Sequence, residues 1–143
     1  MGVIVCPSGL SLEIRGLKGK ELKLLQDKAA KKTGRTYDNI LSTCTTAVVL
    51  PGPAYAFDPG PGAPAWDKVL GGDKFFALLA IRAETFGEDY DFDFRCSACE
   101  EKVKWSIKLP DGLEIKPIAA ADADACKSGT PLEATLSDGK VAK

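Results

Sequence analysis

The stretch Glu88–Leu109, EDYDFDFRCSACEEKVKWSIKL, decides how this chain is read. Tyr90, Phe92 and Phe94 alternate with Asp89, Asp91 and Asp93. After a short interruption, Val103, Trp105, Ile107 and Leu109 alternate with Lys102, Lys104 and Lys108. Period-two alternation is the pattern of a strand with one apolar and one solvated face. Pairing the two runs sets aromatic against branched side chains on one face and acids against lysines on the other. The connection between them carries Cys96 and Cys99 in a C-x-x-C spacing.

The preceding segment, Gly72–Gly87, reads as the strongest helix. Asp73 is placed to cap its start, Phe75–Ile81 is nearly all apolar, and Gly87 ends it. Helix and hairpin together are expected to form the folding centre. Farther back, Leu10–Leu17 reads as a strand and Lys20–Thr33 as a helix with Leu22, Leu25 and Ala29 inward. Asp38–Thr43 reads as a short helix and Thr45–Leu50 as a β-branched strand. Pro51–Pro64 is dense in proline and glycine and reads as an extended loop. Its Tyr55 and Phe57 either pin it to the body or offer a docking arm, with Trp66 just beyond. Downstream, residues 110–112 read as a turn, Leu113–Ile115 as a short strand and Ala119–Thr130 as loop. Leu132–Leu136 reads as a strand whose return beyond Gly139 is cut short at Lys143, so the hairpin is expected to be completed by more chain or by another protein.

These segments give an α+β fold, a small antiparallel sheet with a C-x-x-C hairpin packed against two or three helices. The chain is expected to divide into a strand–helix segment at 1–50, the loop at 51–64, a helix-and-hairpin core at 65–118 and a C-terminal strand segment at 119–143 that reads as incomplete. With 143 residues, 45% hydrophobic and 27% charged, it has the composition of an ordinary globular protein. A net charge of −1 gives no bulk electrostatic attraction to nucleic acid. No run reaches a membrane-spanning length, and the first residues lack the features of a signal peptide, so the product is expected to be kept in a cytoplasm.

The chain contains no histidine, which removes Ser–His and Cys–His pairs, histidine-ligated metals and the commonest general base. No nucleophile, base and oxyanion site can be assembled, and an enzyme is not expected. The five cysteines permit a zinc knuckle at Cys96 and Cys99, with Cys6, Cys44, Cys126 or a carboxylate as candidates for the remaining ligands and Cys44 chosen among them; free thiols and a disulfide remain open alternatives. The basic segment from Lys18 to Arg35 reads as the solvated face of a helix, and the Gly-Pro-Gly run lacks the lysine of a phosphate-binding loop.

Several motifs occur in a specific order. They are L-x-x-x-x-R-G-L-K-G-K-E at Leu10–Glu21, Cys44 at the end of a short helix, D-P-G-P at Asp58–Pro61, W-x-K-V-L-x-G-D-x-F-x-A-L-x-x-I-R-x-x-T-F-G-x-x-Y-x-F at Trp66–Phe92, and the C-x-x-C hairpin. This order resembles a family of tailed-phage proteins related to the T4-type baseplate hub and tail-assembly proteins. The resemblance runs over about residues 10–117. It implies a non-enzymatic structural component of the baseplate, tying hub and wedge or tube proteins together. A transient chaperone for hub assembly is the second reading, and a zinc-ribbon nucleic-acid-binding module the third. The implied partners are other baseplate or tail proteins, with no small-molecule substrate, membrane or nucleic acid, and the implied location is the virion tail, assembled in the host cytoplasm. Tyr55, Phe57 and Trp66 are then the expected docking residues, and one structural zinc the only expected cofactor. In that family the tip often resembles a zinc-ribbon knuckle, C-P-x-C-G, from which Cys96-Ser97-Ala98-Cys99-Glu100 departs, and the departure weakens what the resemblance implies about zinc.

Overall fold

A turn at Pro7-Ser8-Gly9 reverses the chain between its first two strands, β1 (Gly2–Val5) and β2 (Ser11–Ile14). Gly9 takes φ +91° there, a conformation open to glycine. The computed structural model describes residues 2–26, 28–109, 112–129, 134–135 and 138–142.

After β2 the segment expected as one helix is broken into α1 (Gly19–Leu22), a 3₁₀ turn (Lys23–Gln26) and α2 (Lys28–Thr33). Lys28 and Lys32 lie one turn apart and repel, and Leu22 is at the surface, so too little apolar area is buried to hold a long helix together. The helix expected from Asp38 begins earlier: α3 (Arg35–Cys44) buries Thr36, Ile40, Leu41 and Cys44. Arg15 closes its end, donating to the Thr43 carbonyl at 3.0 Å while pairing with Glu21 at 2.6 Å. β3 (Thr45–Leu50) follows directly, at the bounds read from the sequence.

β2 pairs with β1 and β3, and β3 pairs with the two-residue β4 (Gly60–Pro61), giving an antiparallel sheet in the order β1-β2-β3-β4. A 3₁₀ turn (Trp66–Lys68) leads into α4 (Gly71–Phe86). The core lies between this sheet and helices α3 and α4, with Leu10, Leu12, Ile14, Leu41, Cys44 and Ile81 fully enclosed.

The hairpin forms as read. β5 (Asp89–Arg95) and β6 (Lys102–Lys108) pair antiparallel, with Tyr90 opposite Ile107, Phe92 opposite Trp105, Phe94 opposite Val103 and Asp93 opposite Lys104. Its place differs from the expectation, because it is not the folding centre. Among the described residues it is held at its base, by buried Leu109 and by Arg82, whose guanidinium lies 4.2 Å from the Tyr90 ring. The sheet and the two helices already enclose the core, and the ribbon's apolar row lies outside it. Phe94 is 46% and Trp105 56% exposed.

Downstream, Ala119–Thr130 was expected as loop, yet α5 (Ala120–Ser128) forms, ended by Gly129 in the left-handed region. Its alanines have the highest helix propensity, which operates without any apolar periodicity. The expected turn at residues 110–112 and strand at 132–136 lie partly outside the described residues. Within them, β7 (Ala134–Thr135) pairs with β8 (Val141–Ala142). Among the described residues no helix is long and apolar enough to cross a membrane.

Candidate docking surfaces

The aromatic residues expected to face a partner are turned inward. Tyr55 and Trp66 are buried, and Phe57 packs against the core while stacking on Tyr55 with ring centroids 4.9 Å apart. What holds Tyr55 is the carboxylate of Asp73, 2% exposed in the first turn of α4. It makes no cap for its own helix. Oδ1 accepts the Ser8 backbone N–H at 3.2 Å, and Oδ2 accepts both the Ser8 hydroxyl and the Tyr55 hydroxyl, the latter at 2.5 Å. The Tyr55 oxygen in turn accepts the Leu70 N–H at 2.9 Å. A buried carboxylate is tolerated when its lone pairs are filled in this way and when it sits at the positive end of a helix. One acid thus joins the β1–β2 turn, the Pro/Gly loop and the start of α4. Burial raises the Tyr55 hydroxyl above its ordinary value, with the bond to Asp73 adding to it. Burial, and then the Asp73 charge, pushes the Cys6 thiol up to about 12.

The cysteines proposed as metal ligands are not brought together. Cys44 ends α3 inside the core, where burial raises its thiol. Cys96 and Cys99 lie at the hairpin tip, Cys99 exposed and Cys96 half-buried. Among the described residues no group of three or more His, Cys, Asp or Glu is placed to hold a metal ion. The trio therefore does not fit a closed structural zinc site.

The tip alone is ordered as a two-thiol turn. Cys96 N–H donates to the Glu101 carbonyl and Glu100 N–H to the Cys96 carbonyl, both at 2.9 Å, while Glu100 takes φ +58°. The backbone N–H groups of Cys99 and Ala98 and the Cys99 thiol donate to the Cys96 sulfur and hold its thiol below the ordinary value.

Two surfaces are apolar and open. The first is the ribbon face of the hairpin, where Tyr90, Phe92 and Phe94 run in one row with rings 5.6 and 6.1 Å apart, opposite Ile107, Trp105 and Val103. Its other face is solvated, with Lys102 and Asp93 paired at 3.2 Å. The second is a groove between α3 and α4, bordered by exposed Tyr37, Phe75 and Phe86. Sequence reasoning missed it because Phe75–Ile81 is so apolar that the helix reads as buried on most sides. The spacing of Phe75, Leu78, Leu79, Arg82 and Phe86 was the available signal, since it marks a second stripe beside the core stripe of Phe76, Ala77, Ala80 and Ile81.

Neither the curated proteins nor the solved structures include a match to this chain. A family model described as T4 bacteriophage base plate protein matches residues 3–129, a span that takes in the sheet, both core helices, the hairpin and α5. By that match the chain belongs to the T4 bacteriophage base plate protein family.

Proposed function

We propose that this protein is a non-enzymatic structural component of the tail baseplate that ties hub proteins to wedge or tube proteins, with the β5–β6 ribbon as its docking element. The observation that carries the reading is the apolar row on a hairpin held at its base. An isolated two-stranded ribbon is marginal in water, and Trp105 and Phe94 are the residue types that anchor protein interfaces. A covering protein supplies the missing layer. Family membership points to other baseplate proteins as that layer.

The test is quantitative mass spectrometry of purified particles, with and without Trp105→Glu. The wild-type chain is expected at fixed copy number and the variant, folded by circular dichroism, is expected to be lost from particles. Wild-type protein confined to assembly intermediates would overturn this reading in favour of a transient assembly chaperone. The ordered Cys96–Cys99 turn favours one addition: these thiols are half of a zinc site whose other ligands come from the docked protein. Zinc should then be found in assembled particles and fall when both are changed to serine; equal zinc in the two particles would sink the addition.

A further inference from the structure

The groove between α3 and α4 has a volume of about 740 Å³, within the size of a specific binding site. Its α4 wall is the stripe Phe75, Leu78, Leu79, Arg82 and Phe86. From Phe75 to Phe86 this stripe runs eleven residues, about 16 Å at the rise of an α-helix, or three turns. The α3 wall includes Tyr37 and Ile40. Leu17 and Leu25, from the segment between β2 and α2, also line it, but the two long walls are helices and no strand residue borders it, so the groove offers no strand edge to extend and suits a third helix laid between two.

The charges in the groove are unequal in a way that specifies the occupant further. Lys74 is matched by Asp38 at 3.4 Å. Arg82 has no such match: among the described residues no carboxylate pairs with it, and its Nη1 is enclosed without an acceptor. Its guanidinium rests only on rings, 4.2 Å from the centroid of Tyr90 and 5.9 Å from that of Phe86. An arginine on an apolar wall without an acid is a strong site for an incoming carboxylate. A second copy of this chain docked stripe against stripe does not supply one, since it would bring two arginines into a single apolar seam. The acids of α5, Asp122 and Asp124, stand among alanines too small to fill the groove.

We propose that the α3–α4 groove binds an amphipathic α-helix of another baseplate protein, one that fills it with large apolar side chains three and four residues apart and sets an Asp or Glu against Arg82. The inference rests on the baseplate-component reading for the identity of the partner, but the groove's chemistry can be tested on the protein alone. A display library of helix-forming peptides is panned against the purified full chain. Enriched peptides are expected to carry spaced apolar residues and an acid on one face, and to weaken roughly tenfold to a hundredfold against Arg82→Gln. They should also weaken against Phe86→Ser, a change at an exposed position that leaves the fold intact. Arg82→Glu paired with the acid-to-lysine peptide should recover binding, which a merely structural role for Arg82 does not allow. No enrichment, enrichment without an acid, equal affinity for Arg82→Gln, or competition by ribbon substitutions would each overturn the proposal. None of these outcomes bears on whether the chain is found in particles, so the two readings fail separately.

Discussion

Replacing Tyr55 by phenylalanine removes a single oxygen and leaves the ring that stacks on Phe57. The oxygen has two roles: it donates to the Asp73 carboxylate at 2.5 Å and accepts the Leu70 N–H at 2.9 Å. A buried hydrogen bond to a charged group contributes about 1.5–3 kcal/mol, and the stranded Leu70 N–H costs about 1 more. Phenylalanine opens no cavity, so no packing loss is added. The expected destabilisation is about 2–4 kcal/mol, a large fraction of the 5–15 kcal/mol typical of a domain. The assay is a double-mutant cycle with Asp73→Asn in urea, read by tryptophan fluorescence from buried Trp66. Because the two groups touch, the cycle should show a coupling of about 1–2 kcal/mol. A Tyr55→Phe variant within about 0.5 kcal/mol of the parent, or a cycle that adds without coupling, would refute the carboxylate as the fastening of the Pro/Gly loop.

Three other outcomes follow from the same geometry. Cys6 is held up to about 12 from 9, so the folded state keeps a proton that the unfolded chain gives up; stability should be whole below about pH 9 and decline as pH rises toward 12, with Tyr55 adding the same sign above its ordinary value. Urea midpoints measured across that range should fall less steeply for Cys6→Ala, and identical slopes would contradict the cause assigned here. Gly52 has φ +72°, and a β-carbon on it would lie 2.7 Å from the Gly9 carbonyl carbon, so Gly52→Ala should cost about 2–4 kcal/mol by thermal melting, whereas Gly60→Ala, with open space around it, should cost under about 1. Ile14→Ala should cost about 2–5 kcal/mol and Trp105→Ala under about 1 in the isolated protein; the reverse order would put the core back at the hairpin.

The readable parts of this chain were those governed by local periodicity. Thr45–Leu50 and Gly71–Phe86 announce themselves by branching and by apolar density, and the alternation of Glu88–Leu109 matches the observed partners across the ribbon. Alternation says which face of a strand is apolar, however, and not what covers it. That is why the ribbon looked like the centre of the fold, while the core belongs to a sheet whose first strand is only Gly2–Val5. Asp73 misled for a related reason. At the start of a helix an aspartate suggests a cap, but its partners Ser8 and Tyr55 lie 65 and 18 residues away and no local pattern encodes them. Once that acid is seen to need donors, the inward turn of Tyr55 follows, and the docking element proposed here is therefore the ribbon rather than the aromatic loop. The groove was hidden by the very richness of α4, in which two apolar stripes overlap in one run of sequence.

The uncovered ribbon has a consequence for the life of the free protein. Both of its strands are edges, and one of its faces is a row of aromatic and branched side chains of the kind that recruits like segments into larger sheets. The alternating aspartates and lysines on the other face keep single chains dispersed, and they do so less well as chains accumulate or as salt screens them. If the ribbon is the docking element proposed above, a pool of unassembled copies would be self-limiting: synthesis far ahead of the partner would favour precipitate, and synthesis matched to it would favour assembly. The hairpin would then couple the yield of this protein to the supply of its neighbour.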